Sequence, residues 1–386
     1  MNLILPQKTE FVLSALNKAG FEAYIVGGCV RDMLSGKAPH DFDITTSAKP
    51  EEVQNIFPKT VPTGIKHGTV TVIIDKTPIE VTTFRTEGDY TDNRRPDSVK
   101  FVSDIKYDLS RRDFTVNAMA YNPRVGIVDI FGGCEDLKAK ILRAVGEPEK
   151  RFSEDALRIL RLFRFASTLN YSIDENTLIS AENSAPLVKN ISRERIFAEL
   201  LKAVCGTNTG ILNKLLETDA LNFLNLSSFN DLSILNKLPL KEELRLFAFL
   251  KLCQCDILAT LKELRASNAQ KKYCERLNSL TKSPLPQSKA EIKKRLYSTG
   301  NEEFYDYLEF ISVTENEDVI KPKKLFDEII KSKEPYLLEH LAINGTDLKS
   351  FGFTGEEIRE LLFKALGYVT ENPDKNQKEI LIEYLM

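Results

Sequence analysis

Tyr24-Ile25-Val26-Gly27-Gly28-Cys29-Val30-Arg31-Asp32, followed shortly by His40-Asp41-Phe42-Asp43-Ile44, is the part of this chain whose reading decides the fold. A short apolar run ends in two glycines, and a helical pattern follows. Glycines let the backbone approach a ligand closely, and a helix start presents free N–H groups. Arg31 adds positive charge in the first turn. Taken alone, Gly27-Gly28 has two readings, a plain tight turn (the commoner) and a phosphate cradle. The second piece narrows them. On a strand, Asp41 and Asp43 at i and i+2 point to one face. Two like charges side by side are costly unless a cation lies between them, and a hard divalent metal such as Mg²⁺ suits oxygen ligands. A solvated edge strand is the alternative. Glu80, a lone carboxylate in the β-branched stretch Ile79–Phe84, is the expected third catalytic carboxylate. A phosphate-cradling turn, paired Asp and a later Glu describe a two-metal phosphoryl-transfer site.

Outward from there, the first ~145 residues read as α/β. Strands are expected at Ala23–Val26, Asp41–Thr45, Thr69–Asp75, Ile79–Phe84 and Gly126–Ile130, the third and fourth joined as a hairpin through Lys76-Thr77-Pro78. Helical patterns cover Glu10–Ala19, Pro50–Ile56 and Asp113–Ala120. From about Phe152 the helical spacing continues nearly to the end, with examples at Ile191–Val204, Glu242–Leu252 and Ile358–Leu366. The fold class is therefore an α/β head with a small mixed sheet, followed by an extended all-α region. The expected division is 1–145 head, 146–206 helical neck, 207–300 helical body and 301–386 helical tail.

Composition sets the outer limits. The chain has 386 residues, a net charge of −3, 42% apolar and 28% charged residues. Disorder throughout is excluded, and no apolar stretch approaches the ~20 residues of a membrane span. The six cysteines are scattered without a C-x-x-C pair, and the N-terminus lacks the pattern of an export signal, so free thiols and a cytoplasmic location are expected. The balance of charge hides patches. Lys262–Arg295 holds ten Lys or Arg against three Glu, whereas Glu302–Asp318 holds seven acids and no Lys or Arg. The basic stretch reads either as a surface for a phosphate backbone or as a solvated helix face.

With these residues in view, GGCVRD followed by DFD resembles the head of the class II tRNA nucleotidyltransferases, the family of CCA-adding enzymes and bacterial poly(A) polymerases in the DNA polymerase β superfamily. Arg111-Arg112-Asp113-Phe114-Thr115-Val116-Asn117-Ala118 is similar to the family's RRDFT-x-NA segment. Glu154-Asp155-Ala156-Leu157-Arg158, continued by Arg161 and Arg164, resembles its nucleotide-selecting helix, and Ser192-Arg193-Glu194-Arg195-Ile196 the helix start that follows. The resemblance spans about residues 20–200. Beyond it the match is loose, mainly at Ile343–Leu348.

The resemblance implies a tRNA 3′-end transferase that uses CTP and ATP with Mg²⁺ held by Asp41 and Asp43, Glu80 assisting. Gly28, Arg31, Arg112, Asp155, Arg158, Arg161 and Arg164 would bind nucleotide, with Gly27, Asp113, Asn117 and Glu154 as further candidates. Hydrogen-bonding inventory agrees. A carboxylate only accepts and an arginine only donates, so an Asp155–Arg158 pair matches the Watson–Crick edges of cytosine and adenine and mismatches those of uracil and guanine. The same acids also suit a helix start capped by Ser153, and Glu154–Arg158 suits an i,i+4 ion pair. The helical regions would bind the tRNA acceptor stem and elbow, without DNA or membrane partners. A charged loop around Arg94 and Arg95 argues against a CC-only enzyme and is expected to govern the change from CTP to ATP. An A-adding or CC-adding partial enzyme and a poly(A) polymerase share the same head. A silent RNA-binding protein is the alternative of a different class.

Overall fold

The computed structural model describes residues 3–88, 98–226 and 230–386, so the loop carrying Arg94 and Arg95 lies outside the described residues. The chain divides into two compact units, Met1–Leu232 and Ser233–Met386.

The first unit is built on one mixed sheet. Its strands are β1 (Ala23–Val26), β2 (Ile44–Thr46), β3 (Thr60–Gly64), β4 (Thr69–Ile74) and β5 (Thr77–Thr83). A separate ribbon, β6 (Arg85–Glu87) with β7 (Val99–Phe101), precedes β8 (Met119–Asn122) and β9 (Gly126–Asp129). The order across the main sheet is β3-β4-β5-β2-β1-β8-β9. Within it the β2–β5 pair is parallel and the other pairs are antiparallel.

The β4–β5 hairpin is the expected one, with its turn displaced. Asp75 and Lys76 take φ of 45° and 67°, the two left-handed positions of a type I′ turn, which matches strand twist. Thr77 and Pro78 belong to β5 instead. Two other expectations are corrected. Asp41 and Asp43 precede β2, which starts at Ile44; Val26 N–H donates to the Asp43 carbonyl at 3.0 Å, so sheet pairing reaches back only that far. Asp113–Ala120 is not helical. A 3₁₀ turn at Thr115–Asn117 leads into β8 between β1 and β9. The Asp113 carboxylate accepts from Phe114 N–H and Asn117 Nδ2, fixing a turn where apolar spacing over eight residues does not separate helix from buried strand.

Helices α1 (Gln7–Lys18), α2 (Gly28–Leu34), α3 (Pro50–Ile56), α4 (Ile105–Ser110) and α5 (Gly133–Ala139) belong to the head. Val12, Leu13 and Leu16 of α1 pack with Ile25, Val70, Val81 and Met119 in one core. Tyr24, Val26, Phe84 and Leu109 form a smaller cluster. Each such side chain contributes about 1.5–3 kcal/mol on burial. Behind the 3₁₀ turn, a Cβ on Gly133 would lie 2.3 Å from the Thr115 carbonyl oxygen, so only glycine lets α5 start there.

The chain continues as α6 (Pro148–Glu154), α7 (Leu157–Leu169), α8 (Glu175–Ser184), α9 (Arg193–Val204) and α10 (Leu212–Glu217). Ser167 Oγ donates to the Ala203 carbonyl at 2.7 Å, fastening α7 to α9. Here too an expectation changes. Ser153 lies inside α6, and the break falls at Asp155, whose Oδ1 accepts from Leu157 N–H at 3.1 Å and so opens α7.

The second unit is helical throughout: α11 (Glu242–Leu252), α12 (Ile257–Glu263), α13 (Asn268–Leu280), α14 (Lys289–Thr299), α15 (Asn301–Thr314), α16 (Ile320–Lys331), α17 (Gly345–Ser350), α18 (Gly355–Glu371) and α19 (Lys378–Leu385). The basic stretch Lys262–Arg295 is not uniformly solvated. Arg276 pairs with Glu303, and Lys293, 1% exposed, pairs with Glu334 at 2.7 Å and donates to the Thr370 carbonyl. Lys289 likewise pairs with Glu328 and Glu334, and Arg295 donates to the Tyr307 hydroxyl, which leaves Lys262, Lys271, Lys272, Lys282 and Lys294 without an ion pair among the described residues. No helix among the described residues is long and apolar enough to cross a membrane.

Candidate active site

Asp41 and Asp43 are exposed at the mouth of a cavity of about 1080 Å³, and Glu80 lines the same cavity. The register explains why. Ile44 pairs with Val81, so Asp43 and Glu80 stand side by side just before the paired residues, while Glu80 faces Thr71 across the hairpin. The Asp43 carboxyl is raised by desolvation, opposed by the charge of Arg112 and reinforced by Asp41. Among the described residues no three His, Cys, Asp or Glu side chains converge as a closed metal cage. Glu80 therefore stands beside Asp43 at the cavity, without a preformed cage of the three carboxylates among the described residues. The donor set fits a hard divalent cation that keeps open positions for water or phosphate oxygens.

The glycine turn lies beside this edge. Gly27 takes φ 81°, the left-handed region, and a Cβ there would lie 3.0 Å from Arg112 Nη1. Gly28 begins α2, with Arg31 buried on it. Arg112 donates to Asp108 Oδ2 at 3.3 Å, and its buried Nε has no hydrogen-bond partner. An orphaned donor at this depth points to a ligand acceptor. Asp108 was not singled out from the sequence. It is fully buried, and it also takes Nε and Nη2 of Arg111 on Oδ1 and the Thr45 hydroxyl on Oδ2.

The remaining arginines converge. Arg31 Nη1 donates to Asn117 Oδ1 at 2.6 Å, Asn117 Nδ2 to Asp113 Oδ1 at 3.1 Å, and Arg161 Nε and Nη2 to Asp113 Oδ2 at 2.8 and 2.6 Å. Burial would raise the Asp113 carboxyl, but the Arg161 charge and these hydrogen bonds outweigh it and hold it at about 2. The guanidinium carbons of Arg31, Arg161 and Arg164 lie 5.5, 5.3 and 3.8 Å from the centroid of the Phe165 ring. Arg164 Nε approaches Glu199 Oε2 at 2.6 Å, yet both atoms lack a hydrogen bond of proper geometry. Burial lowers the Arg164 pKa, with Arg161 and Arg31 adding to that effect and Glu199 opposing it. Three cations around one ring, Arg31, Arg161 and Arg164, are matched by Asp32, Asp113 and Glu199, so each guanidinium has a carboxylate beside it. Phe165 and Glu199 gave no sequence signal beyond ordinary helical positions.

The Asp155–Arg158 pair expected to read the base is not preformed. Arg158 Nη1 donates to Glu154 Oε2 at 2.8 Å and to the Arg151 carbonyl, and Nη2 donates to the Arg111 carbonyl. The i,i+4 ion pair anticipated as the ordinary explanation is thus present. Asp155 Oδ2 accepts from Arg195 at 3.0 Å instead of Arg158. Arg158 still keeps two of its five N–H donors, Nε among them, and Asp155 retains lone pairs beyond those bonds.

A small mixed sheet with a glycine turn and paired Asp, continued by an arginine-bearing helix, defines the head and neck of a polymerase-type nucleotidyltransferase. Residues 23–143 match the Poly A polymerase head domain, and residues 170–228 match the probable RNA and SrmB-binding site of polymerase A. The CCA-adding enzyme of Enterococcus faecalis is 37% identical over 385 residues, 97% of this chain and 94% of the relative. The crystal structure of the Bacillus stearothermophilus CCA-adding enzyme in complex with CTP is similar at a TM-score of 0.85 and 32% identity, covering 99% of this chain and 98% of that one. A tRNA nucleotidyltransferase complexed with a primer tRNA and an incoming ATP analog is similar at a TM-score of 0.64 and 25% identity, covering 84% and 100%. The chain belongs to the CCA-adding enzyme family.

Proposed function

We propose that this protein adds C and A, from CTP and ATP, to the 3′ end of tRNA without a nucleic acid template, releasing pyrophosphate. Family membership over nearly the whole chain carries the reading, and the presence of Asp41, Asp43, Arg112, Asp155 and Arg158 supports it.

Asp41 and Asp43 would hold Mg²⁺, with Glu80 beside Asp43 as the assisting carboxylate. A divalent cation bound there would lower the pKa of the 3′-hydroxyl that attacks the α-phosphorus and would neutralise charge on the departing pyrophosphate. The rest falls to this chain's own residues. Gly27 keeps the backbone low enough for phosphates to approach, and Arg112 offers its orphaned Nε. Arg31, Arg161 and Arg164 around Phe165 supply charge for the triphosphate. Asp155 accepts from the exocyclic amino group of cytosine or adenine, while the spare donors of Arg158 meet the ring acceptors. Uracil and guanine present a carbonyl where the amino group belongs, and each unpaired group costs about 1–3 kcal/mol. In this division of labour the sheet-bearing head, residues 1–145, does the chemistry, and the neck, 146–206, reads the base. The helical body and tail, 207–300 and 301–386, bind the acceptor stem and elbow, in the cytoplasm where the tRNA is.

The test is an extension assay with Mg²⁺ on tRNA transcripts lacking CCA, ending in C, or ending in CC, with CTP and ATP separately and together. Stepwise completion to CCA followed by a stop is expected. Addition of A only to the CC-ended transcript, or long A tracts, would replace the reading with an A-adding enzyme or a poly(A) polymerase. Tight tRNA binding without extension would leave only an RNA-binding role.

A further inference from the structure

Within the second unit, residues of α14 and α18 together with Tyr336 line a cavity of about 410 Å³, an ordinary size for a small organic ligand. Three aromatic rings belong to its wall, Tyr297, Phe363 and Tyr336. Tyr297 and Phe363 are 41% and 38% exposed and meet edge to face with centroids 5.8 Å apart, so neither is a core residue. Tyr336 is held by donation from its hydroxyl to Asn301 Oδ1 at 2.8 Å. Gly367 lines the same space from the interior of α18, where glycine lowers helix stability relative to alanine. It does not take a positive φ, and a Cβ there would meet nothing within 4 Å. Neither backbone strain nor a close contact within the chain calls for glycine at this point, and its effect is a flat stretch of wall. Charge enters through Lys293, which lines the cavity at 1% exposure. Its Nζ reaches Glu334 at 2.7 Å and the carbonyl of Thr370, another lining residue, at 2.9 Å. An ammonium has three N–H donors, so one remains beyond these two acceptors. Two acids also line the cavity. Glu291 is engaged at the start of α14, accepting from the N–H groups of Gln287 and Ser288, and Glu371 is exposed at the last residue of α18. Lys294, also a lining residue, is exposed and has no ion pair among the described residues.

Aromatic walls, a buried donor and a carboxylate beside them suit a nucleobase. An aliphatic or phenyl side chain of a protein partner would fill the walls and leave the Lys293 donor unmet. A base presents a flat π face with acceptors and N–H donors around its edge, and unstacked bases of RNA are ordinarily bound by stacking on Tyr or Phe. On the transferase reading above, on whose RNA substrate this inference rests, the helical region lies along the tRNA. We infer that the α14–α18 cavity receives one unstacked base of that RNA. Tyr297 and Phe363 stack on it, Lys293 meets an acceptor on its edge, and Lys294 meets the adjoining phosphate. A free nucleotide carries the same chemistry, and the test separates the two sources.

Gly367→Leu fills the cavity from α18 and raises helix propensity, so its urea midpoint should equal or exceed that of wild type. Its Kd for a tRNA transcript lacking CCA, measured by filter binding, is expected to rise about tenfold, the loss of one stacked base. Tyr297→Ala should do the same, and Tyr297→Phe, which keeps the ring, should stay within about twofold of wild type. Transcripts carrying a single abasic residue at each unpaired position in turn locate the base. One position should raise the wild-type Kd about tenfold and have no further effect in Gly367→Leu. An unchanged Kd in Gly367→Leu and Tyr297→Ala, or losses that add to those of every abasic position, overturns the inference. Equilibrium dialysis with the four nucleoside monophosphates tests the other source. Binding of one of them that Gly367→Leu abolishes, with the Kd for tRNA unmoved, assigns the cavity to a free nucleotide and overturns the inference too. Binding is read without catalysis, so the two readings fail separately. A wild type that binds tRNA and extends none overturns the transferase reading, while the same comparison of Kd values still decides the base site. A wild type that binds no tRNA overturns both.

Discussion

Asp108 and Arg112 meet at 3.3 Å through a carboxylate that has no exposure to solvent. The same side chain holds Arg111 at 2.9 Å and accepts the Thr45 hydroxyl, two residues beyond Asp43. Burial raises the Asp108 carboxyl, but the charges of Arg111 and Arg112 outweigh it and hold it below the usual carboxylate range. One buried charge thus connects the edge that presents Asp41 and Asp43 with Arg111 and with Arg112, which faces the glycine turn. It touches no ligand itself, so its part is positioning.

Asp108→Asn removes the charge and keeps the shape. Breaking a buried ion pair leaves its partners uncompensated and costs about 3 kcal/mol. The expected result is a lower urea midpoint with unchanged slope, and a KM for CTP raised more than kcat is lowered, because Arg112 loses its anchor. Urea unfolding and steady-state kinetics at saturating primer measure both. A fall in stability with an unchanged KM for CTP would reduce Asp108 to a structural residue.

Asp113 gives a pH dependence with a definite sign. Its folded pKa of about 2 lies below an unfolded value of about 3.9. A depressed carboxylate contributes stability that is complete above the unfolded pKa and is lost as pH falls through the folded one. The contribution, of order 2 kcal/mol, should therefore disappear between about pH 4 and pH 2. Unfolding free energies measured from pH 7 down to pH 3 should fall less steeply in Asp113→Asn. An acid limb identical to wild type would reject the assignment.

Much of this was legible before any coordinates. Glycines at a strand end, carboxylates at i and i+2 and arginines at steps of three are short-range patterns, and they located the turn, the Asp pair and α7. What stayed hidden depends on tertiary pairing. Met119–Asn122 has the composition of a buried segment of either kind, and only its place between β1 and β9 makes it a strand. Asp155 lies a turn from Arg158 in sequence, yet it pairs with Arg195, 40 residues on. Asp108 and Glu199 carry no local signal because their roles come from arginines that the fold brings to them.

The glycine turn separates backbone strain from contact. Gly27 and Gly36 both take positive φ, 81° and 73°. A Cβ on Gly36 meets nothing within 4 Å, whereas one on Gly27 reaches Arg112 Nη1 at 3.0 Å. Alanine at either position is strained by the positive φ, at roughly 1–3 kcal/mol. Gly27→Ala alone should also displace Arg112, lowering kcat/KM for CTP and ATP alike by about tenfold, which is some 1.4 kcal/mol of transition-state stabilisation. Parallel kinetics of Gly27→Ala and Gly36→Ala decide it, and equal activity in the two would show that Arg112 does not depend on the turn.

The pair proposed to select the base makes the sharpest prediction, because its two members, Asp155 and Arg158, are held apart by different partners. Asp155 rests on Arg195 at 3.0 Å, and Arg158 on Glu154 at 2.8 Å. A carboxylate at position 155 only accepts, which favours the amino group of cytosine or adenine over the carbonyl of uracil. Asp155→Asn offers a donor as well, so UTP should become a substrate and the ratio of kcat/KM for CTP over UTP should fall by about 10- to 100-fold. Arg195→Met frees Asp155 without changing its chemistry, so it should lower kcat/KM for CTP and ATP while preserving the ratio over UTP. Single-nucleotide addition with CTP, UTP and ATP measures all of these. A CTP to UTP ratio unmoved by Asp155→Asn would remove Asp155 from base selection, and a ratio moved equally by Arg195→Met would transfer that role to the ion pair as a unit.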